Sequence, residues 1–341
     1  MSADYYAVLI VLEAVICSFA FCYPVRWILL QWNVIDRPNE RSSHTTPTAR
    51  GGGIAILLTL CLIGYLNVYV NRAIALTCIS GLMLGIVSFL DDLRPLPQVA
   101  RLVVQAGAAA GALYALCHNL SWNLPPLESA GIVLLGFFWI LGYTNSFNFM
   151  DGINGIACMQ VATTGVGTAI VGVLAGGSLK HPAVTLSLIL AGGGIGFLPH
   201  NFPKARMFLG DVGSASIGFF LAVISFWLSR DLGWWLLGAF GLLHANFIID
   251  TSFTLIRRIR NREKWFNPHR EHFYQRLLRA GMSHESITII EALVQIGVIG
   301  LVVSGIRSSW LVRSLMAVTI CVVWVMFFAY AELRFRRRVL T

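Results

Sequence analysis

Apolar runs of membrane-crossing length recur along the whole chain, separated by short polar segments. Eleven can be traced, at approximately Tyr5–Leu30, Ile54–Val70, Ala73–Leu90, Val99–Cys117, Gly131–Thr144, Ile156–Gly176, Ala183–Leu198, Ser214–Leu228, Trp234–Ile256, Ile287–Ser304 and Trp310–Tyr330. A helix needs about 17–25 residues to cross a hydrocarbon core, so the fifth, seventh and eighth runs are short, and a count of ten stands beside eleven. Nothing between the runs is long enough for a soluble domain. The pattern predicts an all-α fold: a polytopic transmembrane helical bundle of 10–11 helices, one integral-membrane domain over residues 1–341.

Composition agrees, with 57% hydrophobic and 12% charged residues, about half the charged fraction of a soluble domain. The first run carries Asp4 in place of a basic leader and is too long for a signal peptide, so it reads as a retained helix. Seven cysteines lie in or beside apolar runs without a CxxC pair and read as small hydrophobes, not as a metal or disulfide framework.

Charge then orients the bundle. A chain that starts outside and crosses eleven times delivers residues 36–53, 91–98, 145–155, 200–213 and 257–286 and the C-terminal tail to one face. Of the 25 Lys and Arg, the other face holds Arg72, Lys180, Arg230, Arg307 and Arg313 alone. Cytoplasmic loops carry the excess of Lys and Arg, which predicts a periplasmic N-terminus and a cytoplasmic C-terminus. Orientation and attraction to anionic headgroups account for the net charge of +9 without a nucleic-acid partner.

They do not account for the Asp, Asn and His residues gathered on the same face. Amides and carboxylates are costly in hydrocarbon unless paired, so a polar cluster at the membrane edge is a functional hypothesis by default. The densest cluster runs from Asn145 to Gly155, with Asn145, Asn148, Asp151 and Asn154 at every third position. Neighbours in that series can share a helical face, although the direction drifts by about half a turn over the whole. Carboxamides suit amide and nucleobase edges, and Asp151 adds a ribose or metal option; inter-helix packing is the plain alternative.

Asp91-Asp92 ends an apolar helix at the negative end of its dipole, which calls for a nearby cation; Arg94 or Arg101 would serve. Gly210-Asp211-Val212-Gly213-Ser214 sets a carboxylate between turn-permitting glycines, material for Mg²⁺ or for a helix cap. Arg50-Gly51-Gly52-Gly53, with His44 upstream, is a candidate phosphate cradle. The longest polar segment carries His269-Arg270-Glu271-His272. Two histidines lack the further ligands of a zinc site, leaving phosphate or sugar recognition, or a solvated amphipathic segment. Asp250 and Glu291 lie inside apolar runs without assignment, Asp250 within two turns of Arg257.

Taken in order, Asp36-Arg37-Pro38, Arg41, His44, Pro47 and Gly52-Gly53, then Asp91-Asp92, Arg101 and Gln105, then Asn145 to Gly155, then Asn201 and Phe208 to Ser214 resemble the polyprenyl-phosphate N-acetylhexosamine-1-phosphate transferase family, glycosyltransferase family 4, over about residues 36–275. The resemblance implies a multi-pass enzyme of the bacterial inner (cytoplasmic) membrane. It would transfer a sugar 1-phosphate from a UDP-N-acetylhexosamine to undecaprenyl phosphate with Mg²⁺, or Mn²⁺ in its place, and release UMP. It implies Asp211 as metal ligand and Asp91 and Asp92 as the catalytic pair at the lipid phosphate. Asn145, Asn148, Asp151, Asn154 and Asn201 would line the nucleotide-sugar pocket, with His269, Arg270 and His272 as further substrate contacts. A homodimer is among the assemblies it admits.

Two departures narrow the resemblance. In the peptidoglycan branch lysines follow the paired Asp and the last loop has three consecutive histidines. Here Arg94 follows the pair and the histidines are spaced, which is similar to the subgroup that begins O-antigen and related lipopolysaccharide chains of the cell envelope. A membrane transporter of a phosphorylated or anionic solute is the rival expectation. Transporters carry internal repeats and charges near the midplane, and the sequence shows no repeat, with its polar residues at one face.

Overall fold

The computed structural model describes residues 3–38, 45–118, 125–264 and 269–339. Each of the eleven apolar runs forms a helix within them. In chain order these are α1 (Ala3–Gln31), α2 (Gly53–Asn67), α3 (Arg72–Leu93), α4 (Gln98–Cys117), α5 (Pro126–Met150), α6 (Ile156–Leu174), α7 (Pro182–Asn201), α8 (Gly210–Leu232), then α9 (Leu236–Leu243) and α10 (Ala245–Arg260), which share the ninth run. A short α11 (Phe273–Arg279) lies in the longest polar segment, before α12 (His284–Gly305) and α13 (Trp310–Val339). Among the described residues nine helices are long and apolar enough to cross a membrane, or ten if α9 and α10, bent by 75° from one another, count as one broken span.

The expected count of 10–11 therefore meets nine or ten. The difference is α2, whose 15 residues rise about 22 Å, less than a hydrocarbon core of about 30 Å. None of the three runs that looked short is so, the seventh extending over Pro182–Asn201, 20 residues. The fifth gains Asn145, Ser146 and Asn148, which continue α5 to Met150, and the eighth begins at Gly210, not Ser214. Local chemistry sets other ends: Asn71 accepts from the Ile74 amide at 2.9 Å to cap α3, and Pro126 and Pro182 open α5 and α7.

The bundle is helical throughout except for one small sheet that the sequence pattern did not predict. β1 (Ile35–Asp36), β2 (Thr48–Arg50) and β3 (Met207–Phe208) lie in the order β1-β2-β3. β1 pairs antiparallel with β2, Ile35 opposite Ala49, and β2 pairs parallel with β3, Ala49 opposite Met207. Strands this short leave no alternating signal in a sequence.

The core is built on α8, whose apolar stretch is buried from end to end. α2, α3, α5, α6 and α7 pack around it, α1 covers α7, and α12 lies against α6. Where α2 and α8 begin, their backbones touch: a Cβ on Gly213 would stand 2.7 Å from the Cα of Gly53, an approach that any side chain would forbid. Ion pairs tie α11 to α13. Arg276 meets Glu271 and Glu332, and Glu332 also takes Arg257 at 3.5 Å and Arg336 at 2.7 Å.

Candidate active site

Helix ends converge where the polar motifs fall. Asp92, at the C-terminal end of α3 and with no exposed side-chain surface, accepts from the backbone amides of Asp211 and Val212 at 2.9 and 3.0 Å. It thereby satisfies two of the amides that the first turn of α8 leaves without partners. A Cβ on Gly210, whose φ is +76°, would stand 2.7 Å from Asp92 Oδ2 and 2.7 Å from the Gly51 nitrogen, so this crossing requires glycine. Arg50 of β2 completes the joint, with Nε 2.6 Å from Asp92 Oδ1 and Nη2 3.0 Å from Asp211 Oδ1.

Asp91 turns the other way. Its carboxylate accepts from the Leu96 amide and pairs with Arg101 Nη1 at 3.1 Å, and Arg101 also stands 3.6 Å from Asp211 Oδ2. Adjacent helical residues point about 100° apart, and here that angle gives the two aspartates different neighbours. The cation called for by a carboxylate pair at a helix C-terminus is thus two guanidinium groups. Burial works against the Arg50 charge, but Asp211, Asp92 and Asp36 outweigh it and hold the guanidinium firmly protonated. Asp91, Arg101, Gln105, Asn148 and Asp211 line one open cleft of about 270 Å³, whose other wall includes Leu84, Val87 and Val104. The buried Oε1 of Gln105 has no hydrogen-bond partner there.

The Asn145–Gly155 stretch spans the end of α5 and the turn into α6. Asn148 Oδ1 accepts from the Ser214 hydroxyl and lines the cleft, while Asn145 lies half-buried one turn earlier on α5. Asp151 follows the helix; burial is the main cause that raises its carboxyl from 3.8 to about 7, Arg50 opposing and Asp92 reinforcing it. Asn154 donates to the Pro203 carbonyl at 2.9 Å. Asn201 is buried, accepting from the Gly155 amide at 2.7 Å and donating to the Met207 carbonyl at 3.0 Å. Its side chain latches two loops together and does not face the cleft.

The glycine-rich turn is also largely engaged. The amides of Gly52 and Gly53 donate to the carbonyls of Phe208 and Leu209 at 2.8 and 2.7 Å, so they extend the sheet instead of waiting for phosphate. His44 lies outside the described residues.

The last polar segment reaches the same stretch through aromatic contacts. His269 is tilted against Phe149 and His272, and burial lowers its imidazole from 6.5 to about 4, with His272 and Arg258 adding to the effect. Tyr274 stacks on His272 and donates its hydroxyl to the Phe149 carbonyl at 3.1 Å. Arg270 is half-buried, and its carbonyl accepts from Arg279 at 3.5 Å. His272 is buried, with Nδ1 2.8 Å from Asp250 Oδ1, while Asp250 Oδ2 accepts from the Phe273 amide at 2.9 Å. Asp250 therefore pairs across to the loop, not along its own helix to Arg257. None of these three residues lines the cleft at Asp91 and Asp211.

The donor set suits a hard divalent cation. Among the described residues no three His, Cys, Asp or Glu side chains converge as ligands. Mg²⁺ needs no more than one or two carboxylates with phosphate oxygens and water, and Asp91 and Asp211 on one cleft supply them.

Carboxylates and guanidiniums thus meet at the ends of apolar helices, beside an apolar wall. The profile of glycosyl transferase family 4 matches residues 73–229, the segment from α3 to α8 that holds Asp91, Asp92, Asn148, Asp151 and Asp211. The chain is 29% identical over 338 residues to the decaprenyl-phosphate N-acetylglucosaminephosphotransferase of Mycobacterium tuberculosis, covering 88% of this chain and 82% of the relative. It is 27% identical over 278 residues to the probable undecaprenyl-phosphate N-acetylglucosaminyl 1-phosphate transferase of Bacillus subtilis, covering 79% and 76%. The phospho-N-acetylmuramoyl-pentapeptide-transferase of Streptococcus thermophilus matches at 29% over 239 residues, 62% and 66% of the two chains. The segment from α3 to α8, 157 of the chain's 341 residues (229 − 73 + 1), is thus similar to glycosyl transferase family 4.

Proposed function

We propose that this enzyme transfers N-acetylglucosamine 1-phosphate, or that of a related N-acetylhexosamine, from the UDP-sugar to undecaprenyl phosphate. The products are undecaprenyl-diphosphate-sugar and UMP, the first step of O-antigen or a related cell-surface polysaccharide. The observation that carries the reading is the pairing of Arg50 and Arg101 with Asp91, Asp92 and Asp211 where α3 meets the start of α8, with Asp91, Arg101 and Asp211 lining one cleft. The names of the mycobacterial and Bacillus relatives support N-acetylglucosamine, and they match more of this chain than the pentapeptide transferase does. Catalysis lies on the cytoplasmic face of a single domain whose N-terminus is periplasmic, where nucleotide sugars are supplied.

A phosphomonoester with its second pKa near about 6 is largely ionised at pH 7. The lipid phosphate therefore needs positioning and charge neutralisation more than a base. Its oxygen attacks the β-phosphorus of the UDP-sugar. The new P–O bond forms as the bond from that phosphorus to the oxygen bridging the α-phosphorus breaks, and UMP leaves with the bridging oxygen. Arg50 and Arg101 meet the phosphates with fixed charge, and Leu84, Val87 and Val104 offer the isoprenoid an apolar flank. Asp91 faces the reactants, whereas Asp92, fully buried and holding two amides and a guanidinium, is a positioning residue and not a nucleophile. This supports direct attack over an aspartyl-phosphate intermediate. Mg²⁺ held by Asp211 with Asp91 would neutralise charge on the diphosphate. Asn148 and Asp151 stand on the nucleotide-sugar side, with His269 and Arg270 as outer contacts to the sugar.

A panel of UDP-sugars offered to purified protein with undecaprenyl phosphate, read as UMP release, tests the assignment. UDP-N-acetylglucosamine should lead, and release should require both lipid and Mg²⁺. Asp211→Asn should lower turnover by about 10²–10³-fold or more while the protein still inserts. Near-normal activity in that variant, or UMP release without lipid acceptor, would sink the mechanism.

A further inference from the structure

A second buried polar cavity lies away from the carboxylate cluster, among α6, α10 and α12. Met159, Gln160, Thr163, Asn246, Glu291 and Gln295 line it, and its empty space is about 200 Å³, against about 270 Å³ for the cleft at Asp91 and Asp211. Glu291 stands seven residues along α12 and is 4% exposed, and neither of its carboxyl oxygens meets a hydrogen-bond donor. Gln295, one turn further and 1% exposed, donates its amide nitrogen to the Leu243 carbonyl, which fixes its orientation and leaves Oε1 without a donor as well. The neighbouring amides do not fill the deficit. Gln160 and Asn246 donate to each other's oxygens at 3.0 and 2.8 Å, so the Asn246 amide is already committed to Gln160. Three acceptor oxygens without donors, a carboxylate among them, thus belong to one small cavity inside an apolar bundle.

A lone carboxylate in such a place is costly, and ionisable groups within membrane helices mark sites. We propose that this cavity binds one small dehydrated monovalent cation, Na⁺ foremost, held by the Glu291 carboxylate with Oε1 of Gln295. One positive charge balances one carboxylate, and the ligands are all oxygens. Mg²⁺ does not suit it, because that ion keeps most of its water and near-octahedral geometry. The cation would be held on α12, at its contact with α6, immediately behind the site. Thr288, one turn before Glu291 and also on the cavity wall, donates its hydroxyl to the Asn154 carbonyl at 2.8 Å, and His284 accepts from the Asn154 amide at 3.2 Å. Occupancy would therefore steady the Asn145–Gly155 stretch from its hidden side. The inference rests on this packing and stands or falls apart from the reaction.

The test is thermal unfolding of the purified, detergent-solubilised protein, followed by tryptophan fluorescence while N-methylglucamine chloride is replaced by NaCl or KCl at constant ionic strength and pH. The midpoint should rise saturably with NaCl, less with KCl, and the rise should vanish in Glu291→Gln. Equilibrium binding of radiolabelled Na⁺ should give about one ion per chain in the natural protein and none in the variant. If Glu291→Gln does not fold, the titration and the ion count on the natural protein decide. Equal midpoints in all three salts, or no bound Na⁺, would leave Glu291 a protonated carboxyl beside a water and overturn the proposal. Equal stabilisation of variant and natural protein would overturn it too, by putting the ion elsewhere.

Discussion

Asp91 and Asp92 are adjacent in the chain and opposite in surroundings, so their asparagine variants should separate. Asp92→Asn presents an amide group to backbone N–H donors that need an acceptor, and leaving a buried donor unmet costs about 1–3 kcal/mol. Its main effect should be a lowered unfolding midpoint. Asp91→Asn can keep one oxygen for the Leu96 amide and loses the Arg101 pair at the cleft, so its main effect should be a loss of kcat, read from steady-state UMP release at saturating donor. Asp151 has a signature in pH. Its folded-state pKa of about 7 exceeds the ordinary 3.8, so between those values the folded chain holds a proton that the unfolded chain has released. Stability from this group therefore falls as pH rises from about 4 through 7. His269, lowered to about 4, has the opposite sign, its contribution growing from pH 4 to 6.5. Asp151→Asn should raise the unfolding midpoint at pH 8 relative to that at pH 5, by comparison with the natural protein. An unchanged difference would refute the burial account.

The apolar helices were legible because burial in lipid demands long runs, and a run survives a few errors at its ends. Helix α5 shows the limit. Its last turn is polar, and the sequence assigned Asn145 and Asn148 to a loop because nothing local reveals that α8 lies alongside with Ser214 ready for Asn148. The same limit hid the partner of Asp250. Spacing along one helix offered Arg257 and left a neighbouring element open, and the partner, His272, comes from a segment outside α10. Asp250→Asn should retain the Phe273 contact and lose the charge facing His272, lowering activity by about 10–100-fold through misplacement of the loop. His272→Gln should show a similar loss, and the double variant should be no worse than either alone. Additive losses in the UMP assay would deny that the pair acts as a unit.

For the molecule as a whole, the charge asymmetry predicts which surfaces meet which compartment. In a chain freed of its seven cysteines, Lys180→Cys should react with an impermeant maleimide in intact cells. Lys204→Cys should react only after the membrane is opened, and labelling of both from outside would reverse the orientation. The site was legible as a set of motifs, since each carries residue types that are costly in a membrane protein. Its assembly was not, because Arg50, Arg101 and Asp211 meet across 161 and 110 residues of chain (211 − 50 and 211 − 101). Nor could the chain order reveal that Asn201 serves two backbones instead of a ligand.

The little sheet has a further consequence. Because β2 is hydrogen-bonded to β3, and the latch of Asn201 fastens the turn before α6 to the same strand, the segments bearing Arg50, Asp211 and Gly155 form one rigid jaw. The segment bearing His269 and His272 lies outside that unit and reaches the Asn145–Gly155 stretch through the Tyr274 hydroxyl on the Phe149 carbonyl. Hydrogen exchange should accordingly slow around residues 269–279 when UDP-sugar binds and stay unchanged at 48–53 and 207–213.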